Sequence, residues 1–202
     1  MKRLFGFALV LVFMLSGIAN VFAYEEISPE EANATLSSNP NAYILDIRTP
    51  EEWYYVGHPG KDKCGNGAFL EEPIRKVINI PWELWEYVPQ DKKYDRHIPN
   101  RFFDEEVVRQ FDPDDTIIVM CRSGKRSEKA TGELASPSGP ACKRLEELGF
   151  YNILDMSEGF EGGRDSCRHR TLNQGWKNKG LPYIDNNNGI WTPQQKGRSL
   201  NP

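Results

Sequence analysis

The chain alternates short apolar runs with segments that begin in helix-capping residues. The sequence SPEE occupies 28–31 and TPEE occupies 49–52. A serine or threonine followed by proline, with glutamate three residues after the hydroxyl, is typical of a helix N-terminus. We therefore predict helices over 29–36 and 50–55, the second of which ends at Gly57.

Apolar runs of strand length fall between these helices and later ones. We predict strands over 43–47, 77–80, 117–120 and 152–155. Two further helices are predicted, one that ends before Pro113 and one over 142–148 that Gly149 terminates. Short buried strands that alternate with capped helices indicate an α/β sheet.

The remaining segments are polar. We predict loops over 61–67 and 89–99, a helix over 164–176, and an end to the packed part at Pro182. The tail over 186–202 is expected to be mobile or to lie on the surface.

The segment 116–130 joins a buried strand to a cysteine and a basic loop. Cys121 follows the strand directly, and the loop consists of Arg122, Ser123, Gly124, Lys125 and Arg126. We predict that a helix opens at Ser127 and continues through Lys129. The first turn of a helix has unpaired N–H groups and the positive end of the dipole, so it stabilises an anion. With three cations nearby, Cys121 is predicted to be a reactive thiolate, its pKa below the usual value of about 8.5. The alternative is a buried structural cysteine beside a solvated basic turn.

The first 23 residues have the features of a secretory signal peptide. Lys2 and Arg3 precede an apolar run over 4–15, and small residues lead up to Ala23. The run is shorter than the roughly 20 residues of a membrane-spanning helix, which argues against an uncleaved anchor. We therefore predict a mature chain that starts near Tyr24, in the periplasm or outside the cell, with no stable membrane insertion after cleavage. The expected organisation is a signal peptide over 1–23, one domain over 24–185 and a polar tail over 186–202.

Charge and cysteine content narrow the choice of ligand. Without Lys2 and Arg3 the chain has 23 basic side chains (25 minus two) against 29 acidic ones, a formal charge of −6. An acidic body argues against nucleic acid as a partner. The basic loop after Cys121 stands out against that background and favours a small anion as the ligand.

Exported proteins meet oxidising conditions. Two of Cys64, Cys142 and Cys167 could therefore form a disulfide and leave the third as a free thiol, and the sequence does not select the pair.

Two other clusters are less informative. Trp82, Trp85 and Tyr87 follow the 77–80 strand and could line a ligand cleft, although packing is the commoner role of such residues. Cys167 and His169 lie two residues apart, which is weak evidence for a metal without a second ligand pair. We predict no metal site and no cofactor.

The order of several motifs resembles that of a single-domain rhodanese. The motifs are LDIRTPEEW at 45–53, GHP at 57–59, INIP at 78–81, CRSGKRS at 121–127 and LGFYNILDMSEGFEG at 148–162. The resemblance covers nearly all of 24–183, and the cysteine loop is its most specific part. It implies a three-layer α/β domain with a five-stranded, mainly parallel sheet flanked by helices.

The resemblance also implies a reaction. Cys121 would accept sulfane sulfur from an anionic donor such as thiosulfate or polysulfide, and would pass it to cyanide, a small thiol or a protein acceptor. The loop from Arg122 to Ser127 would hold the persulfide and the anionic donor. Asp46 and Arg48 belong to the family pattern, and we interpret both as structural, with Arg48 paired with a carboxylate such as Glu52. His58 is interpreted as a turn residue that hydrogen-bonds to backbone.

The chain differs from the family pattern in three places, 61–74, 132–141 and 166–170. Cysteines accompany all three, so the insertions could be stapled by a disulfide, or a second thiol could relay the persulfide.

Two functions other than sulfur transfer are compatible with parts of the sequence. A cysteine phosphatase or arsenate reductase shares this fold, but such enzymes have five residues between cysteine and arginine, whereas four separate Cys121 from Arg126. The other is a non-enzymatic persulfide carrier or partner-binding module.

Overall fold

The computed structural model describes residues 24–124, 127–128, 134–135 and 139–192. The predicted signal peptide, most of the segment after Gly124 and the end of the tail therefore lie outside the described residues. Among the residues described, no helix is both long enough and apolar enough to span a membrane.

The described part of the chain contains the four predicted strands and further short strands that the hydrophobic pattern does not predict. In chain order the strands are β1 (Glu25–Ile27), β2 (Ala42–Asp46), β3 (His58–Pro59), β4 (Val77–Asn79), β5 (Glu83–Val88), β6 (Lys93–Pro99), β7 (Thr116–Met120), β8 (Ser127–Glu128), β9 (Leu134–Ala135), β10 (Ile153–Met156) and β11 (Tyr183–Ile184). The helices are α1 (Pro29–Ser38), α2 (Pro50–Val56), α3 (Phe103–Gln110) and α4 (Gly139–Glu147), with a 3-10 helix at Ala68–Leu70.

A five-stranded parallel sheet forms the centre of the domain, in the order β1-β10-β7-β2-β4. Asp46 at the end of β2 is in register with Met120 at the end of β7 and with Asn79 at the end of β4. The carboxyl ends of parallel strands share one edge of a sheet, where ligands bind in open α/β folds. Cys121 therefore leaves the sheet at its ligand-binding edge.

Alternate residues of the central strands face two separate cores. Ile117 and Val119 of β7 pack on one side with residues of α3 and α4, and Ile118 and Met120 pack on the other with residues of α1 and α2. Because both faces of β7 are covered, the strand reads as a continuous apolar run. The predicted three-layer architecture is confirmed.

Both predicted helix starts are confirmed by their caps. The Ser28 hydroxyl accepts a hydrogen bond from the Glu31 N–H, and the Glu31 carboxylate accepts one from the Ser28 N–H. Thr49 and Glu52 form the same reciprocal pair at the start of α2. Gly57, with φ of 87°, ends α2 as predicted.

The predictions for two polar segments were wrong. The segment 89–99 contains strand β6, which pairs with β5 in an antiparallel hairpin. Polar residues on both faces conceal this strand from a periodicity argument, and contact between the Tyr87 and Tyr94 rings supports its register. The predicted helix over 164–176 is instead a series of turns. The Asn178 side-chain nitrogen lies within hydrogen-bond distance of three backbone carbonyl oxygens there, to which its two N–H groups donate, and such bonds compete with helix formation.

The helix predicted to open at Ser127 was also wrong within the described residues. Ser127–Glu128 pairs as a short antiparallel strand with Leu134–Ala135, and α4 begins only at Gly139. Lys129 lies outside the described residues. Proline is favoured in the first turn of a helix and excluded from its interior, so Pro140 is compatible with a start at Gly139 and not with one continuous helix from Ser127. Within the described residues, the Gly124 N–H that donates to Cys121 Sγ belongs to the loop and not to the first turn of a helix.

The packed part continues beyond Pro182. Tyr183–Ile184 pairs with His58–Pro59, and Trp191 is buried with its backbone N–H donating to Asn79 Oδ1 at 3.1 Å. The first residues of the predicted tail therefore lie against the domain, while 193–202 are outside the described residues.

Candidate active site

Cys121 lies at the end of β7, where the main chain turns out of the sheet. It is buried, with 8% of its surface exposed, and it packs in the same core as Cys142. The backbone N–H of Gly124 donates a hydrogen bond to Cys121 Sγ at 3.2 Å. A backbone donor aimed at the sulfur stabilises the thiolate more than the thiol. This contact is compatible with the predicted loop cradle, which stays a prediction.

Gly124 is required at its position by space and by backbone conformation. Its φ is 53°, and a Cβ atom there would lie 1.8 Å from the Ser157 carbonyl oxygen. Gly159 faces the loop from the other side, because a Cβ on it would lie 2.5 Å from the Cys121 carbonyl oxygen. The Phe160 N–H donates to that same oxygen at 2.9 Å. The cysteine loop and the turn after β10 are therefore fixed by direct backbone contact.

The Arg122 side chain binds two carboxylates. Its Nη1 lies 3.1 Å from Glu52 Oε1, and its Nε donates to Glu161 Oε2. These contacts join the cysteine loop to the start of α2 and to the turn after β10. Arg122 was predicted to bind substrate, and that role stays a prediction.

Asp46 and Arg48 form a buried ion pair next to the cysteine loop. Arg48 Nε lies 2.9 Å from Asp46 Oδ1, and Nη2 lies 2.6 Å from Oδ2 and 2.9 Å from the Gly57 carbonyl oxygen. The guanidinium also stacks 4.2 Å from the centre of the Phe160 ring. The predicted pairing of Arg48 with a carboxylate is confirmed, but the partner is Asp46, two residues away and equally buried, and not Glu52. The pair connects β2, the end of α2 and the turn after β10.

His58 is held in a structural position. Its ring stacks on Trp53 with 3.7 Å between centroids, Nδ1 contacts the Pro59 carbonyl oxygen at 2.9 Å, and Nε2 contacts Asn186 Oδ1 at 3.2 Å. Burial lowers the pKa of His58 below its ordinary value, so the ring is neutral at pH 7. The predicted bond to backbone is confirmed, but His58 lies in strand β3 and not in a turn.

Two cavities meet at the cysteine loop. The first, which we call the thiol cleft, has a volume of about 610 Å³ and includes Cys121 in its lining. Its other walls carry apolar and aromatic residues (Ile47, Tyr55, Val56, Trp82, Trp85) and three carboxylates (Glu51, Glu52, Glu83). Trp82 packs edge-on against Phe103, as the packing interpretation predicts, but Trp85 is half exposed and lines the cleft.

The second cavity, which we call the arginine cavity, has a volume of about 510 Å³. Four arginines line it, together with two acids: Arg122, Arg164, Arg168, Arg170, Glu52 and Asp165. Three residues, Glu52, Arg122 and Ser123, belong to both cavities. Sequence reasoning missed this cavity, although the run RDSCRHR at 164–170 was a signal for it. Lys125, Arg126 and the Ser127 side chain, which were predicted to bind substrate, lie outside the described residues.

All four cysteines are unbridged in this structure. Cys64 and Cys167 are exposed, while Cys142 is buried beneath the site. Burial, followed by the nearby Asp155 and Cys121, raises the pKa of Cys142 far above its ordinary value, so Cys142 is a neutral thiol. Across the described part of the chain, no three His, Cys, Asp or Glu side chains are grouped in a way that could hold a metal.

Comparisons with known proteins agree with this geometry. The family profile of the Rhodanese-like domain matches residues 28–166. Thiosulfate sulfurtransferase 18 of Arabidopsis thaliana is 35% identical over 138 residues, which are 68% of this chain and 84% of the relative. An uncharacterized protein of Rickettsia conorii, RC0915, is 27% identical over 161 residues, covering 79% of this chain and 96% of that protein. The crystal structure of Rv0390 from M. tuberculosis superposes with a TM-score of 0.58 at 28% identity, covering 81% of this chain and all of that one.

Proposed function

Because the chain belongs to the rhodanese-like domain family, we propose that it is a sulfurtransferase that carries sulfane sulfur on Cys121. The donor that we propose is a small sulfur-containing anion, thiosulfate or polysulfide, and the acceptor is a thiol or cyanide. The names of two Arabidopsis thaliana relatives, thiosulfate sulfurtransferases 18 and 16, support the reaction class.

The observation that carries this proposal is the hydrogen bond from the Gly124 N–H to Cys121 Sγ. Each half-reaction forms or releases negative charge on that sulfur. A preorganised backbone donor that is already aimed at the sulfur stabilises this charge without reorganisation during the reaction. Cys121 lines the thiol cleft, through which we propose that the donor approaches the sulfur.

The proposed reaction has two displacements and needs no cofactor. In the first, the Cys121 thiolate attacks the outer sulfur of thiosulfate. A bond forms between Sγ and that sulfur, the original S–S bond breaks, and sulfite leaves with the electron pair. In the second, an acceptor thiolate or cyanide attacks the outer sulfur of the persulfide. The bond to Sγ breaks, and the Cys121 thiolate is regenerated.

We propose a location in the periplasm or outside the cell. The support is the sequence of the first 23 residues, with Lys2 and Arg3 before an apolar run over 4–15. Fractionation of cells that express the full-length chain, followed by N-terminal sequencing of the product, tests it. We expect a processed chain that starts near Tyr24, and an unprocessed chain in the cytoplasmic fraction would contradict this part of the proposal.

Turnover of thiosulfate with cyanide tests the reaction. We expect Cys121→Ser to abolish thiocyanate formation, because serine cannot form a persulfide. Cys167→Ser is the matched control, since this thiol is exposed and does not line the thiol cleft, and it should retain most of the activity. Retained activity in the Cys121 variant would overturn the assignment.

A persulfide carrier is the second candidate, and the half-exposed Trp85 on the wall of the thiol cleft favours it. An exposed tryptophan beside a reactive group is a suitable contact for a protein partner. A stable persulfide that no small acceptor discharges would support the carrier over the enzyme. Substantial hydrolysis of a chromogenic aryl phosphate would instead support a cysteine phosphatase.

A further inference from the structure

The arginine cavity is larger than a small sulfur anion needs. Its volume is about 510 Å³, whereas thiosulfate has five heavy atoms and occupies roughly 100–150 Å³ when each atom is given most of the volume of a water molecule. Cys121 lines the thiol cleft and not this cavity. A donor of that size cannot fill the arginine cavity.

The arginines of this cavity differ in the partners that their side chains already have. Arg122 pairs with Glu52 and Glu161, and Arg170 donates to the Gly162 carbonyl oxygen at 2.7 Å. Arg164 donates from Nη1 to the Arg168 carbonyl oxygen at 2.5 Å.

The carboxylate of Asp165, the remaining acid beside these arginines, is directed to the next turn. It accepts the His169 N–H at 2.8 Å and faces the His169 ring at 3.6 Å. The Arg168 side chain makes neither an ion pair nor a hydrogen bond within the described part of the chain. Arg168 is therefore an exposed cation of this cavity that no described acid pairs with.

Arg168 also holds an unfavourable backbone conformation. Its φ is 67°, in the left-handed region that glycine or asparagine adopts more readily. The turn is fixed by the Arg168 N–H, which donates to the Asp165 carbonyl oxygen at 3.0 Å, and by the bond from Arg164. Arg168 is exposed and lines the arginine cavity, and a strained residue beside a cavity points to a role for its side chain.

From this geometry we propose that the arginine cavity binds the carboxylates of a small thiol acceptor whose sulfur reaches Cys121 through the boundary at Arg122 and Ser123. The inference rests on the proposed function and names its acceptor class. The acceptor thiolate attacks the outer sulfur of the Cys121 persulfide and leaves as an organic persulfide, while the bond to Sγ breaks and the electron pair returns to Cys121. The carboxylates stay distant from the reacting atoms, so a suitable acceptor has them several bonds from its sulfur.

Glutathione and its diethyl ester are matched probes for this site, because they share one thiol and differ in the charge of two carboxylates. With thiosulfate as donor, we expect the unaltered protein to have a higher kcat/KM for glutathione than for the ester. Raising the ionic strength should reduce this preference, since the pairing is partly exposed to solvent.

Arg168→Gly removes the cation and relieves the left-handed strain, so the variant should be at least as stable. We expect it to lower kcat/KM for glutathione by about threefold to tenfold and to change the values for the ester and for cyanide by less than about twofold. Lys92→Gly is the matched control, because Lys92 is also a cation with positive φ, at 51°, and lies in the β5–β6 turn. It should leave the glutathione preference unchanged. Arg168→Asn, which tolerates the same conformation, serves as a second variant.

Equal effects of Arg168→Gly on glutathione and ester, or no effect on either, would overturn the acceptor assignment while cyanide turnover continues to support the sulfurtransferase. Absence of both persulfide and cyanide turnover in the unaltered protein would overturn the proposed function, and this inference with it.

Discussion

Replacing Gly124 by alanine places a Cβ atom where the structure has no room for one. That atom would lie 1.8 Å from the Ser157 carbonyl oxygen and 2.3 Å from the Glu158 nitrogen. The φ of 53° lowers the free energy of unfolding by about a further 1–2 kcal/mol when the residue has a side chain. Because both obstacles are backbone atoms, the loop must shift, and the N–H that donates to Cys121 Sγ shifts with it.

The expected magnitude follows from the lost hydrogen bond. A bond from a backbone N–H to a charged sulfur contributes about 1.5–3 kcal/mol, and each 1.36 kcal/mol is a factor of ten in rate. We expect Gly124→Ala to slow persulfide formation on Cys121 by roughly tenfold to a hundredfold. The pH profile of iodoacetamide alkylation, measured in a Cys64→Ser, Cys167→Ser background, should move to higher pH.

Gly149→Ala is the control for backbone strain alone. Gly149 has φ of 95°, and a Cβ there meets no atom within 4 Å. This variant should lose about 1 kcal/mol of stability and keep the alkylation profile of the unaltered protein. If Gly124→Ala keeps the original rate and pH profile, or if Gly149→Ala loses as much, the argument that the Gly124 N–H stabilises the Cys121 anion is refuted.

Three other predictions concern the surroundings of the site. Arg48→Met leaves Asp46 buried without its cation and should cost about 3–5 kcal/mol in urea unfolding, whereas a loss under 1 kcal/mol would show that the pair is dispensable. Since burial lowers the pKa of His58, acid favours the unfolded state, so the melting temperature should fall as pH drops below about 6.5. His58→Gln should reduce this fall of the melting temperature with pH. An unchanged pH dependence would show that His58 is not its cause. Burial and a raised pKa should protect Cys142 from iodoacetamide in the native protein, while Cys167 reacts; equal labelling of both would contradict the buried position.

Four of the five strands of the central sheet and the first two helices were predictable because their signals are local, whereas the edge strand β1 (Glu25–Ile27) was not predicted. The residues at 28–31 and 49–52 carry the caps, and 117–120 is apolar on both faces because helices cover both sides of β7. The position of Cys121 directly after β7 was predictable from the same apolar residues, 117–120.

Elements that depend on distant partners could not be read from their own residues. Strand β6 has no apolar face of its own and is recognisable only through its pairing with β5. The turns over 164–176 depend on Asn178, and Arg48 pairs with Asp46 rather than with Glu52. The arginine cavity forms because this turn region folds back onto Arg122. The two segments are far apart in sequence, so the local hydrophobic pattern of neither one predicts the contact.

The most direct test of the central claim is the mass of the protein after brief exposure to thiosulfate and removal of excess donor. We expect a gain of one sulfur atom that peptide mapping assigns to Cys121, that cyanide removes, and that Cys121→Ser lacks. A protein that gains no sulfur, or that gains it on Cys64, Cys142 or Cys167 with Cys121 unmodified, would show that Cys121 is not the sulfur carrier.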